Sequence, residues 1–310
     1  MTPWGERLRA ELVAVAGQRL DMGELGALVS AALAPWLPHH GVRLVAAAPV
    51  GEPMLGSFAF WHGYPPSFMQ ALWTQALWHH ADEKLLARHG MAEARVRLRD
   101  ARGVWGVLGL LRGWPFTTAE LRWLAGLGEE LPEVLRAYVR AGPLMTEAPA
   151  PAAGVLVLGE DHRVRAATGQ ALLWREQLRA GWPTTSPIAE SFLADMSRLA
   201  RRSASTVVAH APSASHGRWV VFEGQRLGPG EVAVTVRAAS GTQLLPVFCD
   251  WYGITARERE VLADLYDGAT PKHIARWRGL SVHTVYDHVK ALCRKTGADG
   301  RPELVKAIAG

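Results

Sequence analysis

The sequence predicts an α+β chain: two α/β units in series, followed by an all-α domain of four short helices. Three observations carry this. Strand and helix periods alternate from Trp4 to Ala238; the Pro/Ala-rich stretch Ala141–Ala153 splits that region without any apolar stripe; and from Tyr252 onward only helical periods remain. The expected divisions are residues 1–142, a linker at 143–153, a second unit at 154–240, a connecting segment at 241–251 and the helical domain at 252–310.

Composition bounds the function. The 310 residues allow two or three domains of roughly 100–200 residues each, and a 49% apolar content is that of a globular chain. The net charge of +5 fits a nucleic-acid partner without establishing one. Two cysteines, Cys249 and Cys293, form no CxxC pair, and Cys293 beside an apolar helix face reads as a buried, inert thiol. No apolar run approaches the roughly 18 residues of a membrane span. Glu6, Arg7, Arg9 and Glu11 interrupt the start, so no secretory signal is read and a cytoplasmic protein is expected. No GxxxxGK[ST], GxSxG or HExxH occurs, and no nucleophile–base pair stands out; the chain does not read as an enzyme.

In the first unit, Leu8, Leu12 and Val15 stripe a helix from Trp4 to Ala16. Leu25, Leu28, Val29, Ala32 and Leu33 stripe a second from Met22 to Trp36, stopped by Pro38. Gly41–Ala48 and Ser57–Trp61 read as strands, and a helix is expected over Ser67–His79. Glu93–Asp100 alternates and Val104–Leu111 is apolar throughout, joined at Arg102–Gly103 as a hairpin. A long helix capped by Thr117 or Thr118 should then run past Val139. Trp61, Trp73, Trp78 and Trp105 are candidates for a ligand pocket, or else ordinary core aromatics. His79, Asp82 and Glu83 share helical spacing, but without a cysteine they read as a solvated face rather than a metal site.

The second unit opens with strands Gly154–Leu158 and Arg163–Ala167 and helices Gly169–Arg179 and Pro187–Arg202. A meander follows, Ser205–His210, Arg218–Arg226 and Glu231–Ala238, with Gly228-Pro229-Gly230 turning its last pair. Leu244, Leu245, Val247 and Phe248 suggest a short helix in the connecting segment, through which a signal would pass.

The last domain is the most explicit. Thr255 and Glu258 have capping-box spacing, Gly268 ends the first helix, and Thr270–Pro271 opens a second that Gly279 stops. Ser281 opens a third, ended by Gly297, and a fourth spans Pro302–Ala309. On the third helix Val282, Val285, Val289, Leu292 and Thr296 should form the packed back, leaving Tyr286, Asp287, Lys290 and Arg294 in front. That arrangement suits a helix lying in a DNA major groove; a small helical domain with a solvated charged face is the alternative.

This stretch resembles the C-terminal DNA-binding domain of LuxR-type (GerE-type) transcription regulators. The shared positions include Thr255, Arg257, Glu258, Glu260, Val261 and Leu262; Gly268, Thr270, Lys272, Ile274 and Ala275; Leu280, Ser281, Thr284, Val285, His288, Leu292, Lys295 and Gly297; and Arg301, Glu303, Leu304 and Val305. The resemblance implies a helix-turn-helix domain binding double-stranded DNA, with DNA-binding residues among Lys272, Thr284, Val285, Tyr286, Asp287, His288, Lys290, Arg294 and Lys295. It also implies a homodimer joined through the fourth helix, with Leu304, Val305 and Ile308 as candidates, although Leu304 and Ile308 equally suit the domain core. RNA polymerase is a further candidate partner. Two positions depart from the family pattern: Tyr286 stands where Lys or Arg is common, and His273 where Glu is common. Tyr286 cannot make the bidentate pair that arginine makes to guanine.

By order of elements, residues 4–140 resemble a GAF-like sensor domain and 152–240 a PAS-like one. Those resemblances imply a small-molecule effector, or domains that only dimerise or bind proteins. No cofactor is assigned: the second unit has no cysteine for a flavin adduct, and His162, His210 and His216 lie near turns or strand ends, poorly placed as haem ligands.

Overall fold

The computed structural model describes residues 3–49, 55–68, 83–146, 148–180 and 188–309. It is a mixed helix-and-sheet chain with two antiparallel sheets and a helical C-terminal domain. The expected helix over Ser67–His79 falls almost entirely outside the described residues, with Trp73, Trp78, His79 and Asp82.

Helices α1 (Pro3–Ala16) and α2 (Met22–Leu33) precede β1 (Gly41–Ala46) and β2 (Phe58–His62). Asp21 caps α2 in a capping box with Glu24. Leu28 is exposed, because α2 buries the face formed by Met22, Leu25, Gly26, Val29 and Leu33; the helix ends at Leu33, and Trp36 beyond it is exposed too. A short α3 (Glu83–Arg88) leads to β3 (Ala92–Asp100) and β4 (Gly103–Arg112). Asp100 pairs with Gly103, so the two turn residues are Ala101 and Arg102 rather than Arg102 and Gly103. The sheet order is β2-β1-β4-β3.

The long helix expected after Thr117 is broken. Helix α4 (Thr118–Gly126) ends in one 3-10 turn, Leu127–Glu129, before α5 (Leu131–Ala141) begins. Gly126 and Gly128 are poor helix residues, and Pro132 near the start of α5 has no N–H to bond backward. A Cβ on Gly128 would lie 2.7 Å from the Arg97 carbonyl oxygen, so the break also lets the chain dip onto β3. Arg112, almost fully buried, holds this corner. It bonds both Glu120 oxygens at 2.7 Å and the carbonyls of Pro38 and Pro115, and lies 3.8 Å from the Phe116 ring centroid. That pairing pulls the Glu120 carboxyl down to about 2.

The second sheet contains β5 (Gly154–Leu158), β6 (Val164–Ala167), β7 (Val207–Ala211), β8 (Val220–Gly228) and β9 (Glu231–Ala238), ordered β6-β5-β9-β8-β7. Helices α6 (Gly169–Ala180) and α7 (Ile188–Arg202) cover one face; a single turn, α8 (Ser213–His216), follows β7. The connection before β5 is tied down, with Arg218 bonding the Ala148 carbonyl at 2.7 Å and Trp174 the Ala152 carbonyl at 2.9 Å.

The connecting segment is helix α9 (Gly241–Trp251), and its Leu244, Phe248, Cys249 and Trp251 have no solvent exposure. One continuous apolar core runs from α1, α2 and the first sheet through α9 into the C-terminal helices. Val221 of the second sheet and Trp219 just before β8 join it, while the opposite face of that sheet has a core of its own with α6 and α7.

Candidate nucleic-acid interface and a cavity in the second unit

The C-terminal helices are α10 (Ala256–Tyr266), α11 (Pro271–Arg278), α12 (Val282–Thr296) and α13 (Arg301–Ala309). Each start and stop follows from its cap. Thr255 and Glu258 form a reciprocal capping box on α10; the Thr270 and Ser281 side chains accept from His273 N and Thr284 N. Gly279 and Gly297 close α11 and α12 at φ of 65° and 76°, the left-handed conformation glycine adopts without a Cβ clash. The turn at Gly279–Leu280, with Leu280 N–H bonded to the Ala275 carbonyl at 2.9 Å, sets α12 across α11.

On α12 the back and front separate as the spacing requires. Val285, Leu292 and Thr296 are buried, and Val289 packs partly against the core. Tyr286, Asp287, Lys290 and Arg294 are exposed, with Thr284 and His288 half-buried beside them. Asp287 lies 3.7 Å from His283. Lys272 is exposed at the start of α11.

Several expectations are corrected. Val285 has no exposure and cannot reach a base, because its side chain fills the core under α12. Val282, the first residue of α12 after its cap, is exposed rather than part of the packed back. Lys295 is turned inward: its Nζ lies 2.6 Å from Glu258 Oε2 and 3.0 Å from the Gly253 carbonyl, so it fastens α12 to the start of α10 instead of facing a phosphate. Burial alone would raise the Glu258 carboxyl, but Lys295 and the Thr255 amide together hold it below its ordinary value. Leu304 and Ile308 are fully buried within their own domain and offer nothing to a partner helix, whereas Val305 is half-buried. Cys293 is half-buried rather than enclosed; Cys249 is enclosed, and burial pushes its thiol up to about 11.

One basic residue on this surface escaped the sequence reading. Arg276 is exposed one turn beyond Lys272, and no ion pair to it occurs among the described residues, whereas its neighbour Arg278 is held by Asp264 at 2.8 and 2.9 Å. The four-residue spacing from Lys272 was the available signal.

Of the four candidate pocket tryptophans, Trp73 and Trp78 lie outside the described residues, and Trp61 and Trp105 do not share a cavity among those described. Trp105 is fully buried, 5.1 Å from the Trp251 ring and 4.8 Å under the Arg136 guanidinium, because it fills the core where α9 meets β4. Trp61 lies apart, beside Arg43 and Tyr64. A cavity of about 350 Å³ occurs instead in the second unit, between its sheet and α6 and α7, with Leu156, Trp174, Leu193 and Phe222 in its wall. His210 and His216 also line it, and burial pulls both imidazoles down to about 4. Among the described residues, no cluster of three or more His, Cys, Asp or Glu side chains could hold a metal, and no helix is long and apolar enough to cross a membrane.

The family model for bacterial regulatory proteins of the luxR family (GerE) matches residues 253–308, and these residues form a LuxR-family helix-turn-helix domain. No curated protein matches the chain. Among solved structures, a VqmA–ligand–DNA complex of Vibrio cholerae is 22% identical, with 52% of this chain and 81% of that one covered and a TM-score of 0.25. A phage VqmA bound to DPO is 19% identical over 50% of this chain and 81% of that one, with a TM-score of 0.23.

Proposed function

We propose that the protein is a sequence-specific, DNA-binding transcription regulator whose N-terminal half senses a small molecule or holds a dimer together. The observation that carries the DNA-binding part is the exposed polar front of α12 standing on a buried apolar back, within a matched LuxR-family domain. In this reading Tyr286, Asp287 and Lys290 face base edges, while Lys272, Arg276, Thr284, His288 and Arg294 meet phosphates. Val305 and exposed neighbours on α13 serve the dimer contact, two copies read a near-palindromic site in the cytoplasm, and RNA polymerase is engaged alongside. The first sheet unit (residues 1–142) is GAF-like and the second (154–240) PAS-like. The protein works by binding rather than catalysis.

The cavity in the second unit favours small-molecule sensing over a scaffold that only binds proteins. DNA binding is tested by fluorescence anisotropy on duplexes selected from a randomised pool. Lys290→Ala with Arg294→Ala should weaken binding, and the loss of the Arg294 phosphate contact should lower the slope of log affinity against log salt by about 1. An unchanged affinity and slope would remove α12 from the groove.

A further inference from the structure

We propose that the cavity of the second unit is a bridging site, walled on one side by that unit and on the other by the β2 edge of the first. Its occupant is a neutral, largely apolar molecule whose presence is relayed through Phe58 to α9. This rests on the reading of the N-terminal half as a small-molecule sensor, and adds the ligand class and the route.

The placement comes first. Gly56, Ser57, Phe58 and Ala59 line the cavity in one run, with Val45 from the adjacent strand. Leu55, just before them, is buried in the core of the second unit. The start of β2 is thus built into the wall of the neighbouring unit, and a molecule in the cavity touches both.

The lining chemistry sets the class. Leu156, Trp174, Phe222 and Val236 give an apolar floor, and the rim carries Val164 and Leu172, apolar side chains left 45% and 40% exposed. The charged lining groups, Arg163, Arg175 and Glu190, are solvent-exposed. Three histidines line the cavity: His210 and His216 are uncharged at neutral pH, and burial also pulls His162 below its ordinary value. A charge carried to the floor would lose its water and meet no counter-ion there. His210 is 9% exposed, and its Nε2 has no hydrogen-bond partner among the described residues. The volume lies at the small end of the roughly 300–1,000 Å³ typical of small-molecule pockets.

The route is a run of packed rings. Phe58 lies 5.1 Å from Tyr138 and 5.5 Å from Trp251, the last residue of α9. Trp105 backs Trp251 at 5.1 Å. Next to Trp251, Asp250 accepts from Arg259 of α10 at 3.3 Å. A shift of β2 therefore has close-packed neighbours all the way to the first helix of the DNA-binding domain.

The test uses the full chain and two dyes with one skeleton: N-phenyl-1-naphthylamine, which is neutral, and 8-anilino-1-naphthalenesulfonate, which is anionic. The neutral dye should bind one-to-one with enhanced fluorescence, and the sulfonate at least about tenfold more weakly. With the neutral dye bound, amide hydrogen exchange should slow in β7, in β2 and in α9 together. Trp251→Leu, which removes a ring of the route outside the cavity wall, should keep dye affinity within about threefold while the slowing in α9 disappears. Slowing confined to the second unit would overturn the bridge and leave sensing intact. Equal or tighter binding of the sulfonate would overturn the ligand class. Binding of neither dye would overturn the bridge and the sensing reading together. The wild-type exchange pattern decides the matter even if Trp251→Leu does not fold.

Discussion

The two sheets are packed in opposite ways. The first is filled: Phe58, Phe60, Trp105, Tyr138 and Trp251 close on one another in a core that continues into the DNA-binding helices. The second is hollow on its helix-covered face, where small residues such as Ala167, Ala171 and Ala211 stand among larger ones around a cavity of about 350 Å³. Both are antiparallel sheets under helices, so sheet architecture does not decide which one has room for a guest. Side-chain volume at a few facing positions does.

Removing a ring from the filled core should have the largest effect. Trp251→Ala should cost about 3–5 kcal/mol and loosen the first sheet and α10–α13 in one transition, as measured by denaturant unfolding with hydrogen exchange at Val261–Leu265. Loosening of the C-terminal helices alone would mean that the shared core is not one cooperative unit. A matched pair sharpens the contrast. Ala46→Val adds bulk to the packed first sheet and should cost about 1–3 kcal/mol, whereas Ala211→Val grows toward the cavity and should change stability by less than about 1 kcal/mol. Equal costs would erase the distinction.

The smallest effect is acid sensitivity. His210 and His216 have folded pKa values lowered to about 4 from an ordinary 6.5, so the unfolded chain takes up protons first. Their contribution is complete above 6.5 and is lost as pH falls toward about 4. Between pH 7 and pH 6 the loss should stay below about 1 kcal/mol per histidine. It should appear in urea melts that follow the second unit, and His216→Asn should flatten it.

The sequence was most legible where local chemistry decides structure. Thr255, Thr270 and Ser281 as caps and Gly279 and Gly297 as stops needed no tertiary information, and the front of α12 followed from spacing alone. Legibility failed where a neighbour distant in sequence decides. Lys295 looks like any surface lysine until Glu258, 37 positions earlier, folds back onto it. Leu304 and Ile308 fit a dimer seam or a core equally by period, and only the packing of α13 on α10 and α12 chose the core. The tryptophans drew the eye to the first unit because large aromatics suit pockets and cores alike. The cavity is lined by residues scattered from Val45 to Val236, Trp174 among them, and no local pattern in the sequence marks empty space between them.

Helix α9 begins at Gly241, where φ is +64° and an added Cβ would lie 2.8 Å from the Tyr266 hydroxyl, and it ends inside the aromatic core. The joint between the N-terminal half and the DNA-binding domain is therefore a keystone rather than a tether. Severing the chain on either side of α9 would strand Leu244, Phe248 and Trp251 in water on one fragment and leave their sockets open on the other. A recombined chain that borrowed this DNA-binding domain would have to inherit α9 and the face of the first sheet that receives it. The heritable module is set by a shared interior, and it is larger than the 56 matched residues from 253 to 308.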